Sequence, residues 1–531
     1  MSGANLGAMS RRELITMIGA MAGSSVAYRA MASMDLVPES DYQGPIKLEG
    51  DPKGASVLIL GAGLAGLVAA LELSKAGYKV QVLEYNQRVG GRNWTLRGGD
   101  SYTELGGFTQ KCEFDPGLYL NPGPWRLPYH HNAILDYCKR LGVMLEPFTQ
   151  VNYNAYLHNT KAFGGKPQRF RHMQADFQGG VAELLAKTTK QKKLDQSVSK
   201  EDTETLLEAL KEWGALENDY SYKLGRKSSG RRGWAHDPNG GTIGEPQPSQ
   251  PIALDEVLKS GLWRMLNHGQ VYEFQTTLFQ PVGGMDMISK AFGREVGHLV
   301  RYNCKVTAIK QDQQKVTVSY VDSTTGGAPN QVTADWCLCT IPASVLSQID
   351  LDASEPMHDA INSLPYEASI KVGLQARRRF WEQDEDIYGG VTFTDLPNLM
   401  IGYPNYGYFS PGKGVLLGAY TFGPNAFEYT AMAPEERVRR TIEFGSQIHP
   451  QYKEEIENGI AVAWHRVPWI LGCAGSWTDE KRAAHYADMC KIDGRLLLAG
   501  EHVSYIPAWQ EGAITSSLNA ITRLHQRVVN G

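Results

Sequence analysis

Residues 57–84 read VLILGAGLAGLVAALELSKAGYKVQVLE, and the order of events in them decides the fold. Val57–Leu60 is a short unbroken apolar run, as a strand buried on both faces requires. Gly61, Gly63 and Gly66 then follow as G-x-G-x-x-G, and an Ala- and Leu-rich stretch of helical composition comes next. A second strand, Lys79–Leu83, closes on Glu84. Each glycine has its own physical duty: Gly61 permits the tight turn, Gly63 lets backbone approach a pyrophosphate, and Gly66 lets helix lie against strand. The helix start offers free N–H groups and a positive partial charge to phosphates. Glu84 stands where a carboxylate accepts hydrogen bonds from a ribose diol. A bare G-x-G-x-x-G is a weak signal, but strand, turn, helix, strand and acid in this order point to a dinucleotide-binding unit.

The totals set the frame around that unit. With 531 residues, a prior of about three domains holds. Hydrophobic residues at 42% and charged residues at 21% make an ordinary globular mixture. A formal charge of -4 gives no reason to expect a nucleic acid or an anionic membrane as partner. The 7 cysteines are scattered. Cys337 and Cys339 share one face of an apolar strand, and no second pair at zinc spacing exists, so no metal is expected. Ser10-Arg11-Arg12, a modestly apolar run and Ala30-Met31-Ala32 resemble a twin-arginine export signal, with export to the periplasm or medium expected and a cytoplasmic protein as the alternative. Elsewhere no run is long and apolar enough to span a bilayer.

Helical spacing recurs over 130–146, where Ile134, Leu135, Tyr137, Cys138 and Leu141 fall on one side, and again over 180–215, 434–446 and 512–527. Strand-like runs occupy Val306–Ile309, Val316–Val321, Trp336–Thr340 and 414–422. Residues 223–250 are rich in Gly, Pro, Ser, Arg and Lys without period and read as a long loop with solvated basic residues.

Just after Glu84 comes RVGGRNWT, then ELGG at 104–107. With E-x(5)-GGR, PVGGMD at 281–286, NCKVTAI at 303–309 and LLLAGEHVSYIPAWQEGAITSSLNAI at 496–521, the chain resembles the flavin amine oxidase superfamily, most of all its L-amino acid oxidases. The resemblance implies FAD. It assigns cofactor contacts to Gly61, Gly63, Ala65, Gly66, Glu84, Gly91, Arg92, Gly106, Gly107, Val306, Trp469, Cys473, Gly500, Glu501, Gln510, Gly512 and Ala513. Gly106 and Gly107 are expected along the flavin ring, Arg92 at the pyrophosphate, and the helix from Gly512 with its N-terminus toward the flavin. Cys473, in WHRVPWILGCAG, falls where monoamine oxidases carry a flavin-linked cysteine; a thioether and a plain buried thiol both stay open.

The same resemblance assigns the substrate end. In SIKVGLQARRRFW, Lys371 precedes Phe380-Trp381 at the distance of the family's lysine that serves oxygen reactivity. In NPGPWRLPYHH, residues 121–131, three prolines brace Arg126. GPWRLP resembles the segment whose arginine binds the substrate α-carboxylate, a task suited to a planar guanidinium with two parallel donors. Tyr420, in LLGAYTFG, is expected to share that carboxylate, and Ala508 and Trp509 to line the pocket. Ala474 stands where simple amine oxidases place a second aromatic ring. No base is assigned; His130, His131 and His465 are candidates by type only.

The expected architecture is α/β and α+β: a Rossmann-like FAD-binding domain (54–115, 281–349 and 485–527), a mixed-sheet substrate domain (116–174 and 350–484) and a helical domain (175–280), discontinuous in sequence, after a signal or extension at 1–32. The expected function is oxidative deamination of L-amino acids to 2-oxo acids, ammonia and hydrogen peroxide, with hydride passing from the α carbon to the flavin and dioxygen as acceptor. A flavin-dependent L-amino acid 2-monooxygenase, a primary amine or polyamine oxidase, and a non-catalytic flavoprotein are the alternatives. A homodimer is common in the resembling family.

Overall fold

The computed structural model describes residues 40–191 and 199–530; the export-signal expectation lies outside them. The quoted stretch folds as read. Ser56–Leu60 is a strand, Leu64–Lys75 a helix and Lys79–Leu83 a second strand paired in parallel with the first. Three more strands join the same parallel sheet, in the order Val300–Arg301, Lys79–Leu83, Ser56–Leu60, Trp336–Cys339, Leu496–Leu498. This is the Rossmann-like core of a mixed α/β fold. Its helix Leu64–Lys75 is buried over ten consecutive residues, because it is clasped between the sheet and the C-terminal helix Gln510–Val529. On the sheet's other face Cys337 and Cys339 pack with Leu58 and Leu60, while Trp336 and Leu338 pack with Val57 and Ile59, so the period of two is obeyed. All seven cysteines are free thiols.

A seven-stranded mixed sheet forms the second layer, in the order Gln168–Arg169, Tyr156–His158, Val391–Thr394, Met400–Gly402, Gly414–Phe422, Ser369–Ala376, Ile456–Ala463. Its interior strand Ser369–Ala376 is buried at every residue, which is why alternation around Lys371 cannot be read from the sequence. Lys371 pairs with Tyr420 on one side and Val462 on the other, so register alone places two expected site residues together. A four-stranded sheet carries Cys304–Gln311 and Val316–Asp322. Its edge strand Gly326–Ala334 goes unnoticed in the sequence: it contains two glycines and a proline and is exposed almost throughout, so it has no apolar alternation to read.

Residues 223–250 are not one loop. They hold the helix Arg226–Arg232 and a short ladder between Trp234–His236 and Gln247–Pro248. The basic residues are not all solvated either. Arg232 is buried and forks onto Asp176 at 2.9 and 3.1 Å, which ties this segment to the helix Phe170–Lys190. On that helix Gly179 and Gly180 let Tyr222 and Leu254 press against it; a Cβ on either would lie within 2.3 or 2.9 Å of them. Among the described residues no helix is long and apolar enough to cross a membrane, and no group of His, Cys, Asp and Glu is arranged to hold a metal.

Candidate active site

A cavity opens at the carboxyl ends of the parallel strands. Its walls bring together Gly61, Gly63, Ala65, Glu84, Gly91, Arg92, Val306, Trp469, Cys473, Gly500, Glu501, Gln510 and Ala513, and at the far end Tyr420, Ala508 and Trp509. The glycines divide their work. Gly61 has φ +100° and faces Thr340 Oγ1, 2.7 Å from where a Cβ would stand. A Cβ on Gly63 meets nothing within 4 Å, so any side chain there would occupy the cavity itself. A Cβ on Gly66 would lie 2.0 Å from the Gly61 carbonyl oxygen; Gly66 is a packing residue behind the wall. Gly512 is another, with Ile506 O at 2.0 Å.

Glu84 is buried and accepts hydrogen bonds from the Ala62 N–H at 2.6 Å and from the Asn86 N–H and Nδ2 at 2.8 and 2.7 Å, so the acid braces the glycine turn from the cavity wall. Arg92 donates to Glu501 at 2.8 Å and to the Cys473 carbonyl at 2.7 Å. Burial works to raise the Glu501 carboxyl, but the Arg92 charge and the Ala508 N–H outweigh it and hold the group below its usual range. A cradle of open backbone at Gly63, a helix N-terminus, a buried acid and a paired arginine fits a dinucleotide cofactor.

Besides Gly66 and Gly512, two more expected contacts are not in this cavity. Gly106 and Gly107 are exposed, with φ +99° and +87°, and make the turn between Ser101–Thr103 and Thr109–Lys111. Their glycines serve that tight hairpin, and Arg466 lies against Gly106. Conversely, Tyr85, Asn86, Thr340, Pro342 and Trp464 line the cavity without having been foreseen. Thr340 follows the parallel strand Trp336–Cys339, so the rule that ligands sit beyond the strands' carboxyl ends could have found it.

At the substrate end Lys371 is 1% exposed. Its Nζ donates to the carbonyls of Gly123 at 2.5 Å and Asn121 at 3.3 Å, and lies 4.4 Å from the Tyr420 ring centroid. Burial, reinforced by the Arg126 charge and opposed by Cys473, pulls the amine down to about 7. Burial likewise pushes the Tyr420 hydroxyl up, so it stays protonated and able to donate. Cys473 is half-buried, and burial raises its thiol despite Ser369, Arg92 and Lys371.

Arg126 sits in an aromatic box. Its Cζ is 4.3 Å from the Phe274 ring centroid, 5.5 Å from Trp125 and 5.7 Å from Trp509, the last a cavity wall. His268 stacks on Phe274 at 4.5 Å; burial, with the Arg126 charge, lowers it to about 3, so a neutral ring faces the cation. Phe274 and His268 belong to a poorly patterned segment, and nothing in their spacing singled them out. The loop around Arg126 is gripped along its first half. Trp464 Nε1 donates to Pro122 O at 2.7 Å, Lys371 holds Asn121 and Gly123, and a Cβ on Gly123 would lie 1.9 Å from Arg92 O. Ala474, expected opposite Trp509, is buried outside the cavity lining. Of the histidines, His131 packs edge-on to Trp509 at 5.0 Å and His130 stacks on Tyr272 at 4.0 Å, whereas His465 is bonded to Thr430.

A family model described as flavin containing amine oxidoreductase matches residues 64–525. The L-amino-acid oxidase of Vipera ammodytes ammodytes is 27% identical over 505 residues, 91% of this chain and 96% of the relative. That of Gloydius blomhoffii is 28% identical over 507 residues, 91% and 92%. Among solved structures, a putrescine oxidase bound to putrescine shares the fold with TM-score 0.56 at 18% identity, covering 90% of this chain and 99% of that one.

Proposed function

The chain belongs to the flavin-containing amine oxidoreductases, and from that premise we propose that it oxidises L-amino acids to 2-oxo acids, ammonia and hydrogen peroxide. Its cofactor is FAD, which supplies a two-electron acceptor when bound. Gly61, Gly63, Glu84, Arg92 and the N-terminus of Gln510–Val529 would hold it.

The chain's own groups select and orient the substrate. Arg126, half-buried among Phe274, Trp125 and Trp509, carries a planar guanidinium of the kind that pairs with a carboxylate through charge-assisted hydrogen bonds. Tyr420, protonated and on the cavity wall, adds a donor. Trp509 and Ala508 shape the apolar face between that pole and the cofactor end. A second cation, Lys371, titrates near neutrality beside them. Its positive field disfavours a charged substrate amine, and oxidation requires the neutral amine. The same charge is suited to stabilising negative character on dioxygen as it is reduced.

The observation that carries this reading is Arg126 in its aromatic box next to a wall of the cofactor cavity; a plain amine has no group for it. The test is a peroxide assay of the purified holoenzyme across the common L-amino acids, with carbon dioxide measured alongside. Peroxide and 2-oxo acid in equal yield are expected. Anaerobic substrate mixtures that leave the flavin oxidised would contradict the reading, and carbon dioxide with amide would redirect it to a monooxygenase. The Arg11-Arg12 pattern adds the proposal that the chain is exported folded, which N-terminal sequencing of the mature protein tests.

A further inference from the structure

Resting on the reading of Arg126 as the carboxylate anchor, we infer that Glu511 is the positioning residue that fixes the second half of the Arg126 loop. Glu511 is 0% exposed. One carboxylate oxygen accepts the Ala133 N–H at 2.9 Å and the other the Ile134 N–H at 2.8 Å, across 378 and 377 residues of sequence. These are the second and third residues of the helix Asn132–Arg140, the N–H groups that a cap residue ordinarily satisfies. The cap position is His131, and its side chain makes no cap hydrogen bond. The capping carboxylate is therefore supplied from outside, by the first turn of Gln510–Val529.

That donor helix is the cofactor-facing one. Trp509, Gln510 and Ala513, on either side of Glu511, all line the cavity. Glu511 thus joins two things that must keep a fixed distance: the cavity wall at 509–513 and the helix that begins six residues after Arg126. The loop is held by side-chain hydrogen bonds at its two ends. Lys371 grips carbonyls at Asn121 and Gly123 before Arg126, and Glu511 grips amides at Ala133 and Ile134 after it. The carboxylate also faces the positive end of the short helix, where a negative charge is stabilised. A leucine of similar bulk would fill the space and leave both N–H groups buried without acceptors. A glutamine keeps one oxygen for them.

The test compares Glu511→Gln and Glu511→Leu holoenzymes with the parent in two measurements. Hydrogen exchange of peptides covering 126–135 should speed up in Glu511→Leu and less in Glu511→Gln. KM for the best L-amino acid should rise by roughly tenfold in Glu511→Leu, the size of a lost cap, with kcat and flavin content near parental values and Glu511→Gln in between. Parental exchange in Glu511→Leu would overturn the inference. So would faster exchange with an unchanged KM, or a fall in kcat and flavin content with KM unmoved, which marks general destabilisation. Should the parent oxidise no amino acid, the functional reading falls separately; benzoate binding to the flavin-loaded variants, followed by flavin absorbance, then replaces KM, with weaker binding in Glu511→Leu expected and equal binding fatal.

Discussion

At the scale of single residues, the site works by removing water from charges. Lys371 shows the consequence for stability. Its folded-state value falls from 10.5 to about 7 because of burial. Between those values the unfolded chain binds the proton and the folded chain does not, so this residue's contribution to stability rises with pH across that window. Below about pH 7 the folded protein must bury the ammonium and the penalty is complete. Lys371→Met should therefore be more stable than the parent at pH 6 by a few kcal/mol, on the order of 3–5, with the gap closing by pH 10. Paired denaturation curves of the flavin-free proteins measure it; a pH-independent gap would contradict the assignment. Oxygen consumption should fall in the same variant. Cys473 gives a second expectation. Burial raises its thiol, so little nucleophilic thiolate exists at neutral pH. Acid precipitation should leave a colourless pellet and all flavin in the supernatant, whereas a yellow pellet would establish a covalent link.

At the scale of elements, the glycine turn separates binding from folding. Gly63 has an ordinary φ of -70° and open space around its missing Cβ. Gly63→Val should fold with parental far-ultraviolet dichroism yet purify without flavin. Gly66→Val meets the Gly61 carbonyl instead and should be recovered poorly or not at all. Soluble, flavin-loaded Gly63→Val would refute the division. This turn was legible in the sequence because every constraint on it is local: strand, turn, helix and acid lie within one short stretch. Arg126 could be proposed for a related reason, since its prolines and neighbours sit in one segment. Phe274, His268 and Glu511 were not assignable, because their roles exist only across hundreds of residues. Gly106 and Gly107 mark the opposite failure. A glycine pair is compatible with a ring contact and with a hairpin turn, and only the fold decides; here they are exposed in the turn.

At the scale of the whole molecule, buried ion pairs connect units that meet far from each other in sequence. Glu104, in the hairpin region, accepts both arms of Arg437 from the helix Pro434–Gly445 at 2.8 and 2.7 Å, with both side chains fully buried. Glu104→Ala strands the arginine charge and should destabilise the protein by about 3–5 kcal/mol, seen as a lower unfolding midpoint; an unchanged midpoint would mean solvent reaches the site. The larger design sets a dinucleotide cavity at the ends of a parallel sheet and an arginine against its far wall. The most direct test of that design is to compare each L-amino acid with its decarboxylated amine in the parent and in Arg126→Ala. The parent should favour the amino acid. In Arg126→Ala that preference should fall by about 2–4 kcal/mol, roughly 30- to 1,000-fold in kcat/KM, with flavin still bound. An undiminished preference for the amino acid in Arg126→Ala would contradict the account.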